Sequence, residues 1–137
     1  MRKKLLLSLL AAVCCMSMWA QTGPASNEIW YTSTDGNPVA FNFSSIGTPE
    51  TNEKPDGKDY FVATFASDVT SLTHGTYVVG TGNYPTLKTI TVPACLKSIG
   101  DCVFFYISEF ESITFPEDSE LESFGERCFE ESGLKSI

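Results

Sequence analysis

Leu87-Lys88-Thr89-Ile90-Thr91-Val92-Pro93 returns, 23 residues on, as Phe110-Glu111-Ser112-Ile113-Thr114-Phe115-Pro116. Within each copy every second residue is apolar: Ile90 and Val92, then Ile113 and Phe115. Alternation with β-branched residues predicts a short strand with one buried side and one exposed side. Thr89 and Thr91 face out, as do Ser112 and Thr114. Proline closes each strand because it cannot donate to a further ladder bond.

The likeness continues beyond the strands. Leu96-x-x-Ile99-Gly100 matches Leu121-x-x-Phe124-Gly125, and Val103-Phe104 matches Cys128-Phe129. The opening pattern starts again at Leu134-x-x-Ile137, so the starts fall at 87, 110 and 134. A fixed period of this size signals a stacked array in which each unit leans on its neighbours. Val69, Leu72 and Tyr77 stand 27 residues before Leu96, Ile99 and Phe104, which marks a degenerate earlier unit. Thr73 stands there in place of the later glycine, and a looser stretch with Gly80, Gly82 and Pro85 absorbs the extra length. The glycines of "SIG" and "SFG" suit positive φ or close backbone approach. Each unit hides about five large apolar side chains, worth roughly 1.5–3 kcal/mol apiece before entropy is counted. One unit cannot offset its own ordering cost, and about three are needed.

This pattern, L-x-x-I-x-V/F-P followed by L-x-S-I/F-G and then a small residue and Phe, resembles the BspA-type leucine-rich repeat of bacterial surface and secreted proteins. It covers Leu87–Ile137 well and Phe65–Thr86 loosely. The cysteine that often follows the Phe in that family is missing, and the units are fewer. The resemblance implies a curved, β-rich leucine-rich-repeat solenoid, built of short parallel strands with turns or short helical segments. It also implies an adhesive role toward a protein partner, such as a host matrix or surface protein.

Ahead of the array, "NEIWYTSTDGNPVAFNF" carries Asp35-Gly36 between two β-rich runs, a hairpin signal. Trp30 and Phe41 would flank that turn. Residues 44–58 read as a polar loop rich in turn formers, and "DYFVATF" as a strand entering the first loose unit. A solenoid's first unit exposes an apolar end, so this segment is expected to cap it. "NEIWYTSTDG" also resembles openings of secreted BspA-type proteins. Trp30 and Tyr31 suggest carbohydrate binding on one reading and ordinary core on the other, and core is preferred.

The N-terminus has the layout of a secretory signal peptide. "MRKK" is basic, Leu5 to Cys15 is an apolar run of eleven residues, and Ala20 precedes the expected cut. Leu5 to Ala20 spans sixteen residues, fewer than the roughly twenty a bilayer needs. A lipoprotein signal, with lipid on Cys14 or Cys15, ranks second. The expected organisation is a signal peptide at 1–20, a capping β-hairpin segment at 21–64 and repeats at 65–137. The repeats divide into a degenerate unit at 65–86, full units at 87–109 and 110–133, and a partial one at 134–137.

The 137-residue chain has 9 basic and 17 acidic residues. Loss of Arg2, Lys3 and Lys4 with the signal leaves six basic residues and a net charge of −11. Such a field repels nucleic acid and anionic membranes. Ten of the carboxylates lie from Asp101 onward and read as a solvated face without a calcium-loop pattern. Cys95, Cys102 and Cys128 are an odd set without metal-ligand spacing. A Cys95–Cys102 disulfide and buried thiols both remain open.

No nucleophile motif, phosphate loop or metal-binding His pair is found, so no catalytic residue, metal or cofactor is assigned. Asp68, Ser71 and His74 are common loop residues whose spacing does not make a triad. The candidate partner-binding residues are Lys88, Thr89 and Thr91 beside Glu111, Ser112 and Thr114. The rival expectation is a structural fragment of a longer repeat protein without activity of its own. The last unit would expose Phe115, Leu121 and Phe129, which invites self-association through an uncapped C-terminal repeat.

Overall fold

A computed structural model describes residues 23–74 and 83–135. The expected signal peptide, Cys14 and Cys15, Tyr77, Gly80, Gly82 and the final Ser136-Ile137 lie outside the described residues. Among the described residues there are eight strands and no helix. In chain order these are β1 (Glu28–Ser33), β2 (Thr51–Glu53), β3 (Phe61–Thr64), β4 (Ser71–Leu72), β5 (Leu87–Thr91), β6 (Ser98–Ile99), β7 (Ser112–Thr114) and β8 (Ser123–Phe124). They form one sheet in the order β2-β3-β1-β5-β7 and a second in the order β4-β6-β8.

The repeat period is written into the pairing. β5 and β7 run parallel, with Thr89 opposite Ser112, Ile90 opposite Ile113 and Thr91 opposite Thr114. Ile90 and Ile113 are each only 1% exposed and share one core. In the second sheet Ser71, Ser98 and Ser123 stand in register, as do Leu72, Ile99 and Phe124. The offset of 27 between the degenerate unit and the next is therefore the register of the β4–β6 pair. A third side has no strands but is also laddered. The amides of Cys102, Phe104 and Tyr106 donate to the carbonyls of Glu126, Cys128 and Glu130 at 3.0, 3.0 and 2.9 Å. This side bends through left-handed residues at matching places, Cys102 and Arg127, then Tyr106 and Glu131.

The glycines of "SIG" and "SFG" have a definite cause. Neither Gly100 nor Gly125 has a positive φ. A Cβ on Gly125 would press on the backbone of Gly100 and Asp101 in the unit beneath it, and one on Gly100 would meet Thr73. Close stacking therefore requires glycine at 125 and favours it at 100, and Thr73 is the residue on which this column rests.

The hairpin expected at Asp35-Gly36 does not form. The turn itself is present, with Gly36 at φ 74° and the Asp35 carboxylate accepting from the Asn37 amide at 3.0 Å. That hydrogen bond is the main reason the Asp35 pKa is lowered. Both edges of β1 are already taken, by β3 and by β5, each antiparallel. The run after the turn instead sends Val39, Phe41 and Phe43 into the core. The Tyr31 hydroxyl accepts from the Val39 amide at 2.9 Å, and the Asn52 amide donates to the Val39 carbonyl at 2.8 Å. These side chains satisfy backbone groups that a strand partner would otherwise serve. The true hairpin of this segment joins β2 to β3, with Asn52 opposite Ala63. Thus the polar loop expected over 44–58 holds an edge strand, Thr51–Glu53.

Two aromatic groups fill the interior. Phe41 lies against Tyr31, Phe43 and Tyr84 with ring centroids 4.9–5.4 Å apart. Farther along, Phe104, Phe110 and Phe129 form a three-ring cluster, with Phe104 5.3 Å from Phe110 and 5.8 Å from Phe129 and those two 6.5 Å apart. Burial pushes the Tyr84 hydroxyl up to about 12. The three cysteines are free thiols, so the disulfide alternative is set aside. Cys128 is buried, and desolvation pushes its thiol up to about 12.

Candidate functional site

The outer face of the larger sheet follows from strand alternation. In β1, Ile29 and Tyr31 point to the core, so Trp30 and Thr32 face outward. In β5 Ile90 is buried, and in β7 Ile113 is buried, which puts Thr89, Thr91, Ser112 and Thr114 on that same outer face. The pairing registers join these into two rows. One runs Glu53, Val62, Trp30, Thr91, Thr114. The other runs Thr32, Thr89, Ser112.

The structure thus brings together the four strand residues expected from the sequence. Lys88 and Glu111 also lie side by side, the Glu111 amide donating to the Lys88 carbonyl at 2.7 Å. Among the described residues no ion pair joins their side chains. Only Thr114 of the six is exposed, and the others are half-buried.

For Thr89 and Thr91 the covering neighbour is one the sequence reading did not provide. β1 lies directly beside β5, and the Thr32 and Thr89 hydroxyls are 2.6 Å apart in a hydrogen bond. Trp30 stands opposite Thr91 and stacks on Tyr60 with centroids 4.8 Å apart and rings 23° from parallel. The Trp30 indole N–H donates to the Glu28 carboxylate at 3.1 Å, which holds the ring in place. A cleft of about 210 Å³ opens here. Trp30, Thr32, Asp59, Tyr60, Thr89 and Thr91 line it.

Trp30 and Tyr31, read together in the sequence, part company in the fold. Tyr31 is core, 1% exposed and stacked on Phe61, and its pKa is raised by burial. Trp30 belongs to the outer face. The period-2 alternation in "EIWYTS" carried that distinction, but nothing local pointed to Tyr60 or to β5 as neighbours.

The other sequence candidates go elsewhere. The Asp68 carboxylate accepts from the Ser26 hydroxyl at 2.8 Å, and His74 lies edge-on to Tyr84 at 5.8 Å. The acidic C-terminal units carry an exposed Lys97–Glu120 ion pair at 3.0 Å between neighbouring coils. Exposed pairs of this kind contribute at most about 1 kcal/mol. The last unit shows its apolar interior: Phe124 is 44% exposed, and Phe115, Leu121 and Phe129 are partly buried. No helix among the described residues is long and apolar enough to cross a membrane.

A family model described as a BspA type leucine rich repeat region (6 copies) matches residues 82–137. That span contains β5 to β8 and both full units. No curated protein and no solved structure matches the chain.

Proposed function

We propose, from the match of residues 82–137 to the BspA type leucine rich repeat family model, that this protein is an exported, non-catalytic binding module. It acts at the cell surface or after secretion, with the basic and apolar first twenty residues as its signal. Its repeats form a solenoid, with residues 21–64 as a cap that works by strand pairing. The partner is a protein, of the host matrix or host surface class. The contact surface is the outer strand face, with Lys88, Thr89, Thr91, Glu111, Ser112 and Thr114 as the binding residues.

The observation that carries this reading is the register of β5 and β7. It aligns Thr89 with Ser112 and Thr91 with Thr114 on one flat polar face. Repeat proteins use such extended faces for partner contact. The same register continues into β1, which widens the face beyond the repeats. The test is a binding assay of the secreted form on immobilised extracellular matrix proteins. Alanine at Lys88, Glu111, Ser112 and Thr114 is expected to weaken binding at least about tenfold with the fold intact, the loss of one or two good interface contacts. Unchanged affinity in that variant would remove the face from the interface.

A second reading, a structural array element that packs end to end, is favoured by the exposed aromatics of the last unit. Phe124 sits edge-on to Phe115 and Phe129 at 6.1 and 5.4 Å, and β8 has one edge without a strand partner among the described residues. Unpaired edges with apolar side chains template association. Light scattering is expected to show concentration-dependent association that Phe124→Asp reduces. A monomer at high concentration in the unsubstituted protein would rule this reading out.

A further inference from the structure

We propose that the cleft beside the Trp30–Tyr60 stack is a binding site for a single neutral hexopyranoside, such as a terminal sugar of a glycan. This goes beyond the protein-binding reading and needs no protein partner.

The first argument is size. At about 210 Å³ the cleft falls below the roughly 300–1,000 Å³ of pockets for drug-sized ligands, so it suits one ring-sized unit. The second is the match of surfaces. A pyranose has a face of polarised C–H bonds and a rim of hydroxyls. Aromatic faces carry partial negative charge and attract such C–H groups. Trp30 and Tyr60 both border the cleft, and because they stack on each other each keeps at most one ring face for a ligand.

The polar groups are placed to serve the rim. Asp59 is exposed at the edge of the cleft, and its carboxylate makes no hydrogen bond among the described residues. A carboxylate only accepts, and it can take two hydroxyl donors at once. The Thr91 hydroxyl is likewise without a partner among the described residues, and it stands two residues from Thr89 on the same strand. Thr32 and Thr89 share one hydrogen bond, which leaves one of their two hydroxyl protons to donate to the sugar. The Trp30 ring is already set by the Trp30–Glu28 hydrogen bond, so little ordering entropy is lost on binding.

Charge sets the selectivity. Asp59 and the chain's net charge of −8 disfavour uronic and sialic acids and leave neutral sugars.

The experiment is a titration of isotope-labelled protein with the methyl glycosides of glucose, galactose, mannose and N-acetylglucosamine, read by NMR. At least one is expected to bind with a Kd of about 1 mM, with shifts centred on Trp30, Tyr60 and Thr91. Asp59→Ala, on an exposed loop, is expected to weaken it about tenfold, as the loss of a hydrogen bond to a charged group would. Trp30→Ala is expected to abolish it, and Trp30→Phe to restore part of it. Methyl glucuronide is expected to bind more weakly than its neutral counterpart. The proposal is overturned if no glycoside shifts these residues, if Asp59→Ala leaves the affinity unchanged, or if the glucuronide binds equally well. Matrix-protein binding is read with substitutions outside the cleft, so either idea can fail while the other stands.

Discussion

Phe104→Ala is expected to destabilise the protein by about 3–5 kcal/mol, the range for deleting a fully buried Phe side chain. Phe104 has no exposed surface and packs against both Phe110 and Phe129 in a three-ring cluster. It belongs to one unit and touches the unit beyond it, so its loss removes the contact that lets neighbouring coils stabilise each other. The equivalent residue of the last unit makes an internal control. Phe129 is only partly buried, so Phe129→Ala should cost clearly less. Chemical denaturation followed by circular dichroism gives both values. Equal costs, or a smaller cost at Phe104, would mean that the column is not the main source of cohesion. A small domain has only about 5–15 kcal/mol of stability in total, so Phe104→Ala should remove a large fraction of it.

Gly125→Ala is the second large effect, expected at or above the upper end of the 1–3 kcal/mol typical of overpacking. The added carbon would sit under 3.0 Å from the Asp101 amide nitrogen and the Gly100 carbonyl carbon. Backbone cannot swing aside as a side chain can. Relief requires prising the units apart, against the Gly125 amide's 2.6 Å bond to the Ile99 carbonyl. Gly100→Ala should be far milder, because its nearest obstacle is the Thr73 methyl at 3.1 Å. Thr73→Ser removes that methyl and should recover most of the Gly100→Ala loss, while nothing comparable rescues Gly125→Ala. Thermal melts of Gly125→Ala and Gly100→Ala, each alone and combined with Thr73→Ser, test this order. A Gly125→Ala protein as stable as Gly100→Ala would show that the coils have slack.

The two substitutions also show where reading the sequence succeeded. The recurrence of Leu, Ile, Gly and Phe at matching offsets was enough to put Ile90 over Ile113 and Leu72 beside Ile99. It also left two explanations for the glycines, of which close approach is the operative one. The Asp35-Gly36 hairpin failed for a related reason. The turn chemistry is local and is present, but strand pairing is a competition, and β3 and β5 took both edges of β1. Phe41 and Phe43 could then bury their rings against Tyr31 and each other.

The candidate site divides along the same line. Thr89, Thr91, Ser112 and Thr114 were legible as one face, because a repeat stacked on its own copy has its register written twice in the chain. Trp30, Thr32 and Tyr60 were not, because β1 and β3 have no copy in the repeats to align with. Backbone hydrogen bonds are alike for every residue type, so they leave no mark in the sequence of which strand will accept which. By itself the sequence determined the period, the inward and outward sides of each short strand, and the stacking of one unit on the next. Only the tertiary structure decided that an antiparallel segment from far upstream would close the edge of β5 and set an aromatic wall beside its threonines. That choice rests on which arrangement buries the most apolar surface across the whole chain, a quantity no local stretch contains.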